Sequence, residues 1–320
     1  YVNCPFCTRD PITKISRTQE QVNHQLANQH DFYHMSSHLL SRFALLCSIA
    51  MLTACSSIQL AYNNAPLLLQ YQMDSYLDLN DEQEELLAQE LKDFQAWHRR
   101  DELPMYAQTL RQWATKLDTP QLFTAQDLLE KQQQFEQALL TVAQRSSFRL
   151  APLVLTLTER QRQQLQESFD ESNEEYVQEH LGDQQTVQRE RLEEFSERYE
   201  DWLGSITPKQ EEILQQWLTS QPSRAQLWGQ ERIERQRALL QLLTDAGDLP
   251  SAEVAAVELH EYFQSLSRYR IAELQVERQA RLESIANLTA AMFNSMNESQ
   301  RDHLKERLLG YAADFDALSK

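Results

Sequence analysis

Leu157-Thr158-Glu159-Arg160-Gln161, with Leu165 four residues further on, is the stretch that decides the fold. A threonine at a helix N-cap accepts a hydrogen bond from the N3 backbone N–H, and a glutamine at N3 reaches back to the N-cap N–H. Together the two bonds close a capping box. The leucine one turn past the glutamine shares its helix face, so the motif both opens a helix and places a core anchor on it. The same pattern returns as Leu79-Asn80-Asp81-Glu82-Gln83 with Leu87, as Ile206-Thr207-Pro208-Lys209-Gln210 with Leu214, and as Met296-Asn297-Glu298-Ser299-Gln300 with Leu304. Thr124-Ala125-Gln126-Asp127 is a weaker fifth example. The intervals between the boxes are uneven, which argues against a short-period solenoid.

Around these starts the chain reads as helix nearly throughout. Its five glycines (Gly182, Gly204, Gly229, Gly247, Gly310) are sparse, and Gln, Glu, Leu, Ala and Arg, all good helix formers, dominate. Helices are predicted over about 66–79, 80–100, 103–118, 120–147, 158–181, 184–203, 207–220, 223–245, 251–294 and 297–318. The span 251–294 is long, with a break predicted near 284–287. Gly204 and Gly247 stand where C′ glycines belong, and Pro208 and Pro250 at helix starts. The predicted fold class is all-α, an elongated multi-helix bundle of helical hairpins. Its core should take the tryptophans together with Tyr71 and Tyr76 of the first helix. That helix is apolar on several sides (Leu67, Leu68, Leu69, Tyr71, Met73, Leu77). It is expected to be covered by other helices or, alternatively, to rest on a membrane.

Upstream of the helices the sequence carries an address. From Met35 a short polar region ends in Arg42, an apolar run follows from Phe43 to Leu52, and Leu52-Thr53-Ala54 leads into Cys55. A run this short makes a helix of roughly 15–18 Å against a hydrocarbon core of roughly 30 Å, so it suits a signal peptide rather than a membrane span. A cysteine at that point makes the segment a lipobox. Cys55 is expected to take a diacylglyceryl group on its sulfur and, after cleavage before it, a further acyl chain on its amine; two or three chains anchor durably. Ser56 after the cysteine favours the outer membrane. On this reading residues 35–54 are the signal peptide, 55–66 the lipidated cysteine and a tether, and 67–320 a helical domain facing the periplasm. Residues 1–34 stand outside the fold argument, as upstream translation or a disordered leader. Cys4-Pro5-Phe6-Cys7 has the spacing of half a zinc site, but no second half follows.

Three of the four cysteines (Cys4, Cys7, Cys47) precede Cys55, so no disulfide framework is expected and an apolar core must hold the fold. The 30 Lys and Arg stand against 48 Asp and Glu, a net charge of −18. Such a surface repels nucleic acids and anionic headgroups and suits solubility or a basic partner.

The search for chemistry narrows quickly. No H-E-x-x-H, paired E-x-x-H, G-x-S-x-G or phosphate-binding glycine loop occurs, so no catalytic residue, metal or cofactor is assigned. Glu258, His260 and Glu261 read as a solvated face. Trp97-His98-Arg99-Arg100-Asp101-Glu102-Leu103-Pro104 is the most distinctive segment. His98, Arg99 and Arg100 could form a basic spot that binds a carboxylate or phosphate. In the alternative, Trp97 and Tyr106 are core and the arginines pair with Asp101, Glu102 or a neighbouring helix.

Two resemblances add to this reading. The boxes are similar to the L-T-x-x-Q motif of the small periplasmic chaperones of the Spy and CpxP type, fully at Leu157–Gln161 and with isoleucine at Ile206–Gln210. That similarity implies a helical protein that binds unfolded clients. An ordered set of residues covers more of the chain. It comprises Cys55-Ser56-Ser57, Ala61-Tyr62-Asn63-Asn64, Leu77-Asp78-Leu79-Asn80 with Gln83, Trp97-His98-Arg99-Arg100 with Tyr106, Asn173 with Tyr176, and Trp202-Leu203-Gly204. This set resembles the proteobacterial lipoprotein family built on domain of unknown function 6279, which implies an anchored helical envelope protein and supplies no activity. The expected function is therefore a non-enzymatic envelope binding or assembly factor of the outer membrane. The alternative is a chaperone-like envelope-stress protein. Its expected partners are the membrane, through the lipid, and an envelope protein or unfolded clients, without nucleic acid.

Overall fold

A computed structural model of the protein describes residues 57–119 and 122–320. The segment read as a lipobox, Cys55 and the Cys4–Cys7 pair lie outside the described residues. The chain divides into two units, residues 1–60 and 61–320. Among the described residues there are helices and turns and no strand, so the fold is all-α as predicted.

The helices are α1 (Ser57–Asn63), α2 (Ala65–Leu77), α3 (Asp81–Trp97), α4 (Leu103–Lys116), α5 (Ala125–Val154) and α6 (Glu159–His180). They continue as α7 (Gln184–Leu203), α8 (Pro208–Ser220), α9 (Ala225–Asp245), α10 (Ala252–Ser265), α11 (Ala272–Asn294) and α12 (Glu298–Leu318). A π-helical turn, His98–Glu102, joins α3 to α4, and a 3₁₀ turn, Ala246–Asp248, follows α9. All five capping boxes close with both of their bonds, opening α3, α5, α6, α8 and α12. The leucine anchors Leu87, Leu165, Leu214 and Leu304 are all buried.

The second unit holds two main cores linked by α5, whose 30 residues run about 45 Å at 1.5 Å per residue. The C-terminal end of α5 (Ala151, Leu153, Val154) packs with Leu77, Leu87, Leu165, Phe169, Leu239, Leu243 and Leu259 of α2, α3, α6, α9 and α10. Its N-terminal end (Leu128) packs with Ala114, Leu203, Ala290, Phe293, Leu304 and Leu308 of α4, α7, α11 and α12. A smaller cluster, Leu214 with Leu288 and Met292, seats α8 on α11 and meets the second core at Tyr199.

Five expectations are corrected. The break predicted between about 100 and 103 is instead the π turn, in which the Leu103 N–H donates to the His98 carbonyl and the helix runs on through Pro104. The wide turn offsets what proline would otherwise cost by lacking an N–H and clashing with the carbonyl four residues back. The break predicted near 284–287 falls at 266–271, between α10 and α11. There the buried Glu231 carboxylate accepts the Arg270 and Ile271 backbone N–H groups at 2.7 and 2.8 Å, capping α11 from a distant helix. Gly204 is a left-handed C-cap (φ 78°) with the His303 ring where a Cβ would go, but Gly247 lies inside the 3₁₀ turn. Residues 57–63, expected to be tether, are helical, and Tyr71 with Leu67–Leu69 of α2 is exposed rather than core. The reason is that α2 rests on α3 and α6 through the side bearing Met73 and Leu77, which leaves the rest of its first turns uncovered.

Candidate functional site

The four Leu/Ile/Met-(Thr/Asn)-x-x-Gln boxes are not independent starts. They meet in two pairs. Gln83 Nε2 donates to Gln161 Oε1 at 3.2 Å, and Gln161 Nε2 returns the bond to Gln83 Oε1 at 2.6 Å. Gln210 and Gln300 do the same at 3.2 and 2.8 Å. Each amide also reaches into the partner's junction: Gln161 to the Asp78 carbonyl, Gln83 to that of Thr156, and Gln300 to that of Ser205. All four glutamines are buried. Each oxygen serves both its own helix cap and its partner, so the pair fixes two helix–turn–helix junctions against one another. Asp78 holds a left-handed backbone (φ 48°) at the first of these junctions, and its carboxylate pairs with Arg160 at 2.6 Å.

The π turn organises the other polar cluster. His98 Nδ1 meets the Tyr62 hydroxyl at 2.8 Å, and its ring lies among Phe94, Trp97 and Tyr106. Burial holds His98 below its ordinary pKa. Burial also pushes the Tyr62 phenol up to about 12, opposed by the nearby Arg99 charge. Tyr106 is raised by burial first, and then by the charge of the buried Glu102 and a hydrogen bond to it. Arg99 lies over the Tyr62 ring, donates to Asn63 Oδ1 at 2.6 Å and reaches the Leu318 carbonyl at 3.4 Å. Arg100 points to solvent and forms a bidentate pair with Asp101. The three sequence-predicted residues therefore diverge. His98 and Arg99 tie the segment before α2 and the end of α12 to the π turn, and only Arg100 is outward. His260, predicted on a solvated face, is half-buried and contacts Gln264 at 2.8 Å.

Charge gathers elsewhere. Between Arg162 and Arg189 no lysine or arginine occurs, and Glu167, Asp170, Glu171, Glu174, Glu175 and Glu179 of α6 are all exposed. At 100° per residue they cover about half of the helix circumference.

Sequence reasoning missed the glutamine pairing, Glu231 and Tyr62. One signal for the pairing was present. A capping box accepts glutamate as readily as glutamine, yet this acid-rich chain has glutamine at all four positions.

The chain belongs to DUF6279, a family of unknown function, whose model matches residues 75–266. The match takes in the π turn, the Gln83–Gln161 pair and the acidic face of α6. Comparison with curated proteins gives no match, and neither does comparison with solved structures. Among the described residues no helix is long and apolar enough to cross a membrane.

Proposed function

We propose that the protein is a lipid-anchored outer-membrane lipoprotein whose helical body faces the periplasm as a non-enzymatic binding or assembly factor. The acidic face of α6 supports this reading best. It is carried by a helix whose first turn is locked through Gln161, so the carboxylates keep fixed spacing. A preorganised charged surface favours a complementary basic partner in rate and register. The reading of Leu52–Cys55 as a lipobox supports the location.

Crosslinking in cells with the tagged full chain, followed by mass spectrometry, tests it. One dominant envelope protein, lost on combined Glu171→Lys and Glu175→Lys substitution, is the expected result; capture unchanged by the reversal refutes the acidic interface. A broad spread of transiting outer-membrane proteins would instead support the chaperone-like reading, which the exposed Phe135 and Phe148 on α5 favour. Anchoring has its own test. Cys55→Ser should abolish acylation and membrane retention, and an unchanged membrane fraction refutes the anchor.

A further inference from the structure

The first turns of α2 combine three features. Leu67, Leu68, Leu69 and Tyr71 are 65, 48, 47 and 73 % exposed. Residues 57–73 contain no charged side chain, in a chain that is 24 % Asp, Glu, Lys and Arg. Further along the same helix the exposed positions turn polar, at Gln72 and Ser75.

The pattern selects among occupants. A packing helix covers a stripe of residues three and four apart, and α2 already uses such a stripe, with Met73 and Leu77, against its neighbours. Three consecutive leucines instead span about 200° of the helix. No single groove covers that arc; a fluid that surrounds the tip does. The apolar end of the helix is also the end nearer in sequence to Cys55. Eleven residues lie between Cys55 and Leu67, and most of them are helical, which at 1.5 Å per residue keeps the tip within a few tens of ångströms of the lipid. The acidic body is repelled by anionic headgroups, and this uncharged tip is the part that can approach them. Tyrosine is enriched at membrane interfaces, which suits Tyr71.

We infer that the N-terminal turns of α2, through Leu67, Leu68, Leu69 and Tyr71, dip into the headgroup boundary of the membrane that holds the Cys55 lipid. The contact rests on the lipid-anchor reading above. It would fix the orientation of the body on the membrane, which a lipid at a single point of attachment does not.

The full lipidated chain, reconstituted in phosphatidylethanolamine–phosphatidylglycerol vesicles, carries one nitroxide at a time: Leu67→Cys, Leu68→Cys or Tyr71→Cys. Ser75→Cys and Glu175→Cys serve as controls. All five positions are exposed, so the substitutions leave the core intact. Collision rates with oxygen, which concentrates in lipid, and with a water-soluble nickel chelate are then measured. The expected result is a several-fold higher oxygen-to-nickel ratio at 67, 68 and 71 than at 175, with 75 between them. Nickel access at 67 and 68 equal to that at 175, in protein that floats with the vesicles, overturns the contact and leaves the anchor standing. Exclusion of both reagents overturns it in favour of a protein partner. Failure to float overturns the anchor and the contact together.

Discussion

Gln83, Gln161, Gln210 and Gln300 each answer two demands, and only one of them is local. The local demand is an acceptor for the N-cap N–H, which glutamate meets equally well. The tertiary demand is a donor, because each Nε2 faces its partner's oxygen and, for Gln83, the Thr156 carbonyl as well. A carboxylate there has no proton to give and brings charge into a buried site. Gln83→Ala is expected to cost about 2–4 kcal/mol, from the lost cap and the orphaned Gln161 amide. Gln83→Glu should cost more, although it preserves the box. Urea denaturation of the three proteins ranks them, and a stability for Gln83→Glu equal to wild type would remove the pairing argument. His98 gives a pH test. Burial lowers its folded pKa, so the unfolded chain binds the proton more readily. This contribution to stability is full above the unfolded value near 6.5 and is lost as pH falls toward the lower folded value. Melting temperature should therefore fall more steeply between neutral pH and pH 5 in wild type than in His98→Gln. Parallel curves would show that His98 does not carry the effect.

At the scale of the element, the π turn is one residue added to an otherwise continuous helix. Across it α3 presents Leu87 to the first core and α4 buries Leu103, Ala107 and Ala114. Deleting Arg100, an exposed residue whose surface ion pair contributes little, should close the wide turn into regular α-helix and set Pro104 against the carbonyl four residues before it. The proline clash and the missing N–H should then cost about 3 kcal/mol, read as a lower urea midpoint. A midpoint matching wild type would mean that the wide turn is incidental. Helix starts were legible in the sequence because a capping box acts over four residues. The π turn was not, because Pro104 reads locally as a stop and only the packing on both sides makes an extra residue preferable to a break. The α10–α11 break was missed for a similar reason. Its cap is Glu231, about forty residues away on α9, and nothing in residues 266–271 announces it.

For the whole molecule, the two glutamine pairs stand beside different clusters, the first with the anchors Leu87 and Leu165 and the second with Leu214 and Leu304. Their energetics should separate accordingly. Gln83→Ala combined with Gln300→Ala should add to within about 0.5 kcal/mol, whereas Gln83→Ala with Gln161→Ala should depart from additivity by about 0.5–3 kcal/mol. Additivity in both combinations would show that the amide pairs are geometric coincidences. The sequence by itself determined the all-α class, the box-initiated helices with their leucine anchors, and membership of the DUF6279 family. Propensity, caps and helical periodicity all act within a few residues and need no partner. Only the tertiary structure decided which boxes meet, where His98 and Arg99 point, and that the leucines at the start of α2 stay uncovered. Those outcomes depend on groups 78 or 90 residues apart in the glutamine pairs, and 219 apart for Arg99 and Leu318. Chain connectivity sets no geometry between residues so distant; burial and the need to satisfy every buried amide set it instead.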